Sequence, residues 1–310
     1  MVTVVKPLIY ELSLAALARL RTATVVGMGA MILDGNACAD ALRTRVAATL
    51  AAAGGPRICL ATVLVGDDGP SQRYVRSKQR DAEAVGMESR HVALPATSTQ
   101  TEVEDAVGAL VADPEVHGIL VQLPLPDGLD DKRVIDLLTP EKDVDGLTER
   151  NLGRLIRGVP GHVPCTPRGV MELLTHYGIP ISGQRAIVVG RSLLVGIPLA
   201  LLLARKGVDA TVTIAHSRTP DLAEACYAAD IVVAAVGVAG IVTTGWVRAG
   251  ATVIDVGISR TDKGIAGDVD FDAVVDIAGA ITPMPGGTGP MTRACLLENT
   301  LEAARMQGAL

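Results

Sequence analysis

The sequence predicts an α/β protein of two domains, each a layer of parallel strands covered by helices, with a doubly wound arrangement in the second half. Three observations lead there. At 310 residues the chain is long enough for two cores of ordinary size. Hydrophobic residues make up 49% of it but aromatic ones only 2%, with Phe271 and Trp246 single occurrences. The cores must therefore be built from Ala, Val, Leu and Ile, the composition of parallel strands buried on both faces. Finally, short apolar runs alternate with stretches of helical periodicity along most of the chain.

Apolar residues recur at helical spacing over 40–53 and stop at Gly54-Gly55-Pro56. Residues 58–65 are an apolar, β-branched run closed by Gly66-Asp67-Asp68-Gly69-Pro70, which reads as a buried strand and its turn. A polar helix follows over 71–85, then a short strand at 91–94, a helix over 102–111 and a strand over 118–122 that Leu123-Pro124-Leu125-Pro126 ends. The Pro- and Gly-rich stretch 160–167 is the expected crossing, so the domains run 31–164 and 165–291. Beyond it come a helix over 168–177 and three strand–helix units with strands at 186–189, Thr211–Ala215 and 231–236. Further strands fall at 252–256 and Ala280–Ile281. The last segment, 292–310, forms a helix over 292–305 and is expected to pack back on the first domain.

Residues 1–30 lie outside this alternation. Lys6, Arg19 and Arg21 against Glu11 give a faint transit-peptide character without a secretory pattern. The segment reads as a dispensable extension, with Met31 a second possible start before Ile32-Leu33-Asp34-Gly35.

Composition excludes several classes. A formal charge of −6 and the lack of a dense Lys/Arg run argue against nucleic acid. The five cysteines (38, 59, 165, 226, 295) are odd in number and form no C-x-x-C, and the five histidines form no H-x-x-x-H. Neither a disulfide framework nor a metal site is expected, and a reducing, cytoplasmic setting is. The most membrane-like stretch, 193–204, is too short to span and contains Gly196 and Pro198.

Residues 187–198, IVVGRSLLVGIP, read as strand, tight turn and helix start. Glycines at 190 and 196 let backbone approach a pyrophosphate, and the first helical turn offers unpaired N–H groups. The spacing is not the usual G-x-G-x-x-G, and many such turns in α/β proteins carry no ligand. The next strand sharpens the reading. An NAD site usually has an acid at its end to hold the ribose; here it ends in His216-Ser217-Arg218-Thr219. Ser217, Arg218 and Arg191 suit a 2′-phosphate, which favours NADP; the alternative is that Ser217 and Arg218 cap the following helix.

In the first half, Tyr74 and Lys78 are four apart on one helix face. A solvated lysine would explain that spacing too. The same Y-x-x-x-K occurs in short-chain dehydrogenases, but there it follows an N-terminal glycine-rich nucleotide loop, whereas here it precedes that loop by more than a hundred residues. Gln122 sits where a strand leaves the sheet at its carboxyl end, the preferred edge for ligands. Asp143 and Asp145, in Lys142-Asp143-Val144-Asp145-Gly146, are either site residues or helix caps.

Taken together these residues resemble the bifunctional methylenetetrahydrofolate dehydrogenase/cyclohydrolase family of the FolD type. The matching segments are VGDDGPSQRYVRSK (65–78), HGILVQLPLP (117–126), PEKDVDGL (140–147), PCTPRGV (164–170), VVGRSLLVGIP (188–198), HSRT (216–219), VIDVG (253–257), GDVDF (267–271) and ITPMPGGTGPMT (281–292). The resemblance implies an N-terminal catalytic domain and a Rossmann-type NADP-binding domain with the active site in the cleft between them, usually in a homodimer. It implies Lys78 as catalytic lysine, Tyr74 as its substrate-stacking partner and Gln122 as the amide that positions it. Asp145 would accept hydrogen bonds from the pterin. The folate would lie along Val75, Arg76, Ser77, Val121 and Leu123, with Pro285, Gly286, Gly287, Thr288 and Gly289 closing over it. Gly190, Arg191, Ser192, Val195, Gly196, Ser217, Arg218 and Ile258 would hold NADP. Three features depart from the family pattern: the extension 1–30, the Gly/Pro arrangement of residues 68–71, and Thr288 at a usually aliphatic position.

Overall fold

In the computed structural model residues 29–310 are described, apart from 56 and 263, so the extension read at 1–30 falls outside the described residues up to 28, as does the proline of the Gly-Gly-Pro stop. The first domain is a three-stranded parallel sheet in the order β3-β2-β4, with β2 Cys59–Val65, β3 Glu88–Leu94 and β4 Gly118–Val121. Every residue of the central β2 is buried, as a β-branched strand covered on both faces should be. The edge strand β3 starts three residues earlier than its apolar run. Its first part, Glu88-Ser89-Arg90, is polar because it is a sheet edge, and Arg90 pairs with Asp113 at 2.5 Å.

Helices α1 (Gly35–Ala52), α2 (Gly69–Ala84) and α3 (Gln100–Ala112) flank these strands. Their starts are set by side chains: Asp34 accepts from Asn36 N, Asp68 from Ser71 N, and Thr99 with Glu102 forms a capping box. Apolar periodicity alone puts the first of these helices five residues too late, because its opening turn is fixed by the Asp34 cap rather than by burial. Two short helices, α4 (Asp131–Ile135) and α5 (Glu149–Arg157), were not expected from periodicity; both are largely polar. Helix α6 (Cys165–His176) opens the second half.

The second sheet is parallel throughout, in the order β1-β11-β8-β7-β5-β6. Its strands are β5 (Arg185–Val189), β6 (Thr211–Ala215), β7 (Ile231–Ala234), β8 (Thr252–Asp255) and β11 (Ala280–Ile281). The outermost, β1 (Met31–Ile32), pairs with β11 although it precedes the whole first domain. The expected boundary at 31 thus gives to the first domain a strand that belongs to the second sheet; with only two residues, it has no period to read. Helix α7 (Gly196–Ala204) follows β5 and α8 (Leu222–Tyr227) follows β6. The third expected strand–helix unit lacks its helix: after β7 the chain makes only a 3-10 turn, Thr244–Trp246. Glycines at 237, 240, 245 and 250 make that stretch a poor helix. A hairpin, β9 (Ser259–Thr261) and β10 (Gly264–Ala266), and the short α9 (Phe271–Val274) precede β11.

The last helix, α10 (Thr288–Met306), packs against α6 and α1 and also meets α2 and β4. Asn299 on its buried side donates to Val144 O at 2.8 Å and Val163 O at 3.0 Å, tying it to the crossing segment. One hydrophobic cluster runs continuously through α1, α6, α10 and the strands of the second sheet.

Candidate active site in the interdomain cleft

The carboxyl ends of both sheets open onto one cavity of about 710 Å3. Tyr74, Ser77 and Gln122 line one side, and Ile258, Met284, Pro285, Gly286 and Gly289 line the other. Arg73, Arg260 and Arg293 stand around it, so its walls are cationic in an otherwise acidic chain.

Lys78 is only 5% exposed and has no acidic partner within salt-bridge distance among the described residues. Its Nζ donates to Gln122 Oε1 at 3.1 Å and lies 4.5 Å from the centre of the Tyr74 ring. The amide of Gln122 is itself turned by its Nε2, which donates to Leu123 O at 2.8 Å, leaving the oxygen to face the lysine. An ammonium so placed has lost water and gained one neutral acceptor and a ring face. Burial accordingly pushes the Lys78 pKa below its ordinary value, with Asp145 pulling in the opposite direction. Asp145 is pushed up, chiefly by burial, while Lys78 and Cys165 pull it down. Burial also raises the Tyr74 hydroxyl.

The two acids of the 142–146 segment divide the work that the sequence left open. Asp143 is 1% exposed and accepts from Leu147 N, Thr148 N, the Thr148 hydroxyl and Asn151 Nδ2, so it holds the loop and the start of α5. Asp145 instead interacts with Lys78, Tyr74 and Cys165. Gly146 between them and the next turn has φ +68, and a Cβ there would meet Val163 C at 2.7 Å.

On the second domain, Gly190 has φ +131, and a Cβ on it would lie 2.2 Å from Ala235 O. A Cβ on Gly196 would lie 2.2 Å from Gly190 O. These positions admit only glycine, and they fold the turn flat against the start of α7. The Ser192 hydroxyl accepts from Val195 N at 3.1 Å, while Arg191, Ser192, Leu193 and Leu194 stay exposed. Ser217 and Arg218 are exposed too. Helix α8 starts after Asp221 without a side-chain cap, so the capping role open to Ser217 and Arg218 is not the one they have here. A flat glycine turn, a helix start whose N-cap residue Val195 has no capping side chain, and exposed guanidinium and hydroxyl groups fit a dinucleotide with an extra phosphate.

Several residues singled out in the sequence stand elsewhere. Val75 is buried in the core and Arg76 lies on a separate exposed groove with Arg80 and Glu83. Val121 is buried behind Gln122, and Gly287 and Thr288 lie behind the loop that presents Pro285 and Gly286. The unusual Thr288 is satisfied: its hydroxyl donates to Asp255 O at 3.1 Å. Conversely Cys165, Thr292 and Arg293 enter the cluster without having been assigned a part; Thr292 acts on the Tyr74 hydroxyl to lower its pKa slightly against burial, and Arg293 pairs with Asp81 at 3.2 Å. The one signal for Thr292 and Arg293 was their polarity at the start of an Ala- and Leu-rich helix.

Two family models match the chain: tetrahydrofolate dehydrogenase/cyclohydrolase, catalytic domain, over residues 33–145, and the NAD(P)-binding domain of the same family over 164–308. The chain belongs to the tetrahydrofolate dehydrogenase/cyclohydrolase family. It is 53% identical over 281 residues to the bifunctional protein FolD 2 of Frankia alni, covering 90% of this chain and 97% of that one. It is 55% identical to the bifunctional protein FolD of Acidiphilium cryptum, covering 89% and 99%. Among solved structures, the bifunctional FolD of Campylobacter jejuni superimposes with a TM-score of 0.86 at 40% identity, covering 89% of this chain and 99% of its own. The FolD of Trypanosoma brucei, solved with NADP and an inhibitor, gives 0.86 at 41%, covering 90% and 99%. The two-domain parallel α/β architecture is thus the family's own.

Proposed function

We propose that the cleft carries both reactions of this family at one folate site: oxidation of 5,10-methylenetetrahydrofolate to the 5,10-methenyl cation with NADP, and hydrolysis of that cation to 10-formyltetrahydrofolate. The observation that carries the reading is the Lys78 cluster. A buried lysine with a lowered pKa sits directly behind Gln122 and Tyr74, and those two side chains line the same cavity as Ile258 and the 284–290 loop of the second domain.

NADP, when bound at Gly190, Arg191, Ser192, Val195, Gly196, Ser217, Arg218 and Ile258, supplies the hydride acceptor. The protein's task in that first step is positioning, since the methylene carbon loses a hydride without proton transfer. Tyr74 offers a ring face to the folate, Asp145 an acceptor for the pterin's N–H groups, and Pro285, Gly286 and Gly289 close the opposite wall. In the second step water adds to the methenyl carbon and gives up a proton; the C–N bond of the five-membered ring then breaks as the adduct's remaining hydroxyl proton passes to the departing nitrogen, leaving the formyl group on the other nitrogen. Lys78 in its neutral form takes the proton that the water gives up, and burial makes the neutral form accessible nearer neutral pH than for an ordinary lysine. Gln122 keeps the amine at its station in either protonation state because its amide is fixed from behind.

Relatives at about half identity over nearly their full length carry the bifunctional name, which favours this reading over a dehydrogenase that uses NAD and lacks the hydrolytic step. The lack of an acid at the end of β6 supports NADP. From the family resemblance alone we also infer a homodimer in the cytoplasm; the five free, buried cysteines fit a reducing setting. No helix among the described residues is long and apolar enough to cross a membrane. The test of the activity is a spectrophotometric assay with methylenetetrahydrofolate and each nicotinamide cofactor, following reduced cofactor and methenyl intermediate together. Reduction of NADP with transient methenyl accumulation is expected. Faster reduction of NAD, with methenyl that persists, would replace the reading with the monofunctional one.

A further inference from the structure

Two carboxylates lie buried under the nucleotide side of the cleft without a cation. Asp255, at the end of β8, is 2% exposed and Asp268 is fully buried, and neither has a Lys, Arg or His within salt-bridge distance among the described residues. All their side-chain partners are backbone N–H groups. Asp255 accepts from Gly257 N at 3.0 Å, Asp268 N at 2.9 Å and Val269 N at 3.0 Å. Asp268 accepts from Val236 N at 2.6 Å, Gly237 N at 3.0 Å and Val238 N at 2.8 Å. Glycine makes this contact possible: a Cβ on Gly257 would lie 2.0 Å from Asp268 Cγ, and one on Gly267 1.8 Å from Asp255 Oδ2.

The chain reaches three loops from this pair. Asp268 grips 236–238, whose neighbour Ala235 presses its carbonyl on Gly190. Asp255 grips Gly257, next to the cleft-lining Ile258. Its backbone N–H donates to the Thr282 hydroxyl at 2.7 Å and its carbonyl accepts from Thr288, on either side of the loop that closes the cleft. A pair of unpaired buried carboxylates is expensive, and apolar residues would fill the space at less cost if only packing were at stake. Burial first, with Asp268 contributing, pushes the Asp255 carboxyl up to about 6 against the pull of its backbone donors.

We propose that Asp255 and Asp268 are positioning residues of the nucleotide site, a two-carboxylate relay that fixes the loops after β7 and β8 against the glycine turn at 190. The inference rests on the reading of that turn as the NADP site. In Asp268→Asn one acceptor oxygen becomes an amide that faces a backbone N–H, while the folate wall with Lys78 is untouched. The dissociation constant of NADPH, read by fluorescence titration, should rise about tenfold or more. Hydrolysis of supplied methenyltetrahydrofolate, which needs no nucleotide, should stay within about twofold. NADPH binding like that of the wild type, or binding and hydrolysis falling together, would overturn the inference. Wild-type protein that failed to bind NADPH at all would instead overturn the site itself. Should Asp268→Asn not fold, Gly237→Ala strains the same loop from outside: φ is +71 and nothing lies within 4 Å of the new Cβ. Weaker NADPH binding with hydrolysis intact is expected there, and unchanged binding sinks the proposal.

Discussion

On the folate side of the cleft a buried lysine and half-buried polar side chains answer one another: Lys78 to Gln122, Gln122 to Leu123 O, Asp145 to Lys78. Across the cleft the arrangement is reversed. There the polar side chains of Arg191, Ser192, Ser217 and Arg218 are exposed, and what is buried is backbone, folded by glycines at 190 and 196 and held by carboxylates beneath. One wall is chemistry by preorganised side chains, the other recognition by shape. The difference teaches where each wall is fragile. The first fails when a functional group is removed, the second when an atom is added.

The largest effect tests the first wall. Lys78→Met should lower hydrolysis of methenyltetrahydrofolate by about 10²–10⁴-fold, the usual worth of a placed general base, while NADPH binding stays within about twofold. Methionine keeps the buried volume, so thermal stability should hold and separate loss of chemistry from loss of fold. Hydrolysis at the wild-type rate would strip Lys78 of its role and leave the contrast without its first half.

Gly190→Ala tests the second wall by addition. The methyl group enters a space where Ala235 O stands 2.2 Å away, at a backbone angle alanine resists. A cost of about 2 kcal/mol or more should weaken NADPH about thirtyfold, with methenyl hydrolysis the lesser casualty. Equal damage to both activities would mean that the turn is a general support and that the two walls are not separable.

The contrast also explains what the sequence revealed. Continuous apolar runs and period-3.6 patterns located most strands and helices because burial writes them, and the glycine turn stood out because backbone geometry restricts it to one residue type. Strand β1 did not: its two residues, 49% and 42% exposed, owe their place to hydrogen bonds with β11, which no local pattern encodes. Tyr74, Lys78, Gln122 and Asp145 are four residues from three distant segments, individually ambiguous, and only their shared family pattern joined them. Asp143 and Asp145 show the limit most clearly. They are two residues apart and alike in type, yet one holds a loop with four donors and the other meets the lysine; which is which depends on the direction of the chain, not on its letters. Thr292 and Arg293 went unassigned because α10 returns to the first domain from the far end of the chain.

A smaller effect sharpens the second wall. Arg218→Ala and Arg191→Ala each remove an exposed guanidinium that a 2′-phosphate would engage and a ribose hydroxyl would not. Each should raise KM for NADP about tenfold and leave KM for NAD nearly unchanged, so the preference between cofactors narrows. Solvent and salt screen both groups, so the effect should shrink as ionic strength rises. A parallel loss with both cofactors would move these arginines from phosphate recognition to general attraction.

The subtlest test returns to the folate side and concerns pH rather than rate. Burial lowers the Lys78 pKa and the Asp145 carboxylate opposes it, so the two form one coupled pair. Asp145→Asn removes the negative charge that favours the ammonium. Lys78 should then lose its proton at lower pH, and the ascending limb of saturated methenyl hydrolysis should shift to the acid side. The shift must be read in kcat, because Asp145 is also the proposed acceptor for the pterin and its loss should then raise KM. A limb that moves to the alkaline side contradicts the sign of the coupling. A limb that vanishes assigns the titration to Asp145 itself, whose own pKa is raised by the same burial, and the base would then be the acid rather than the amine.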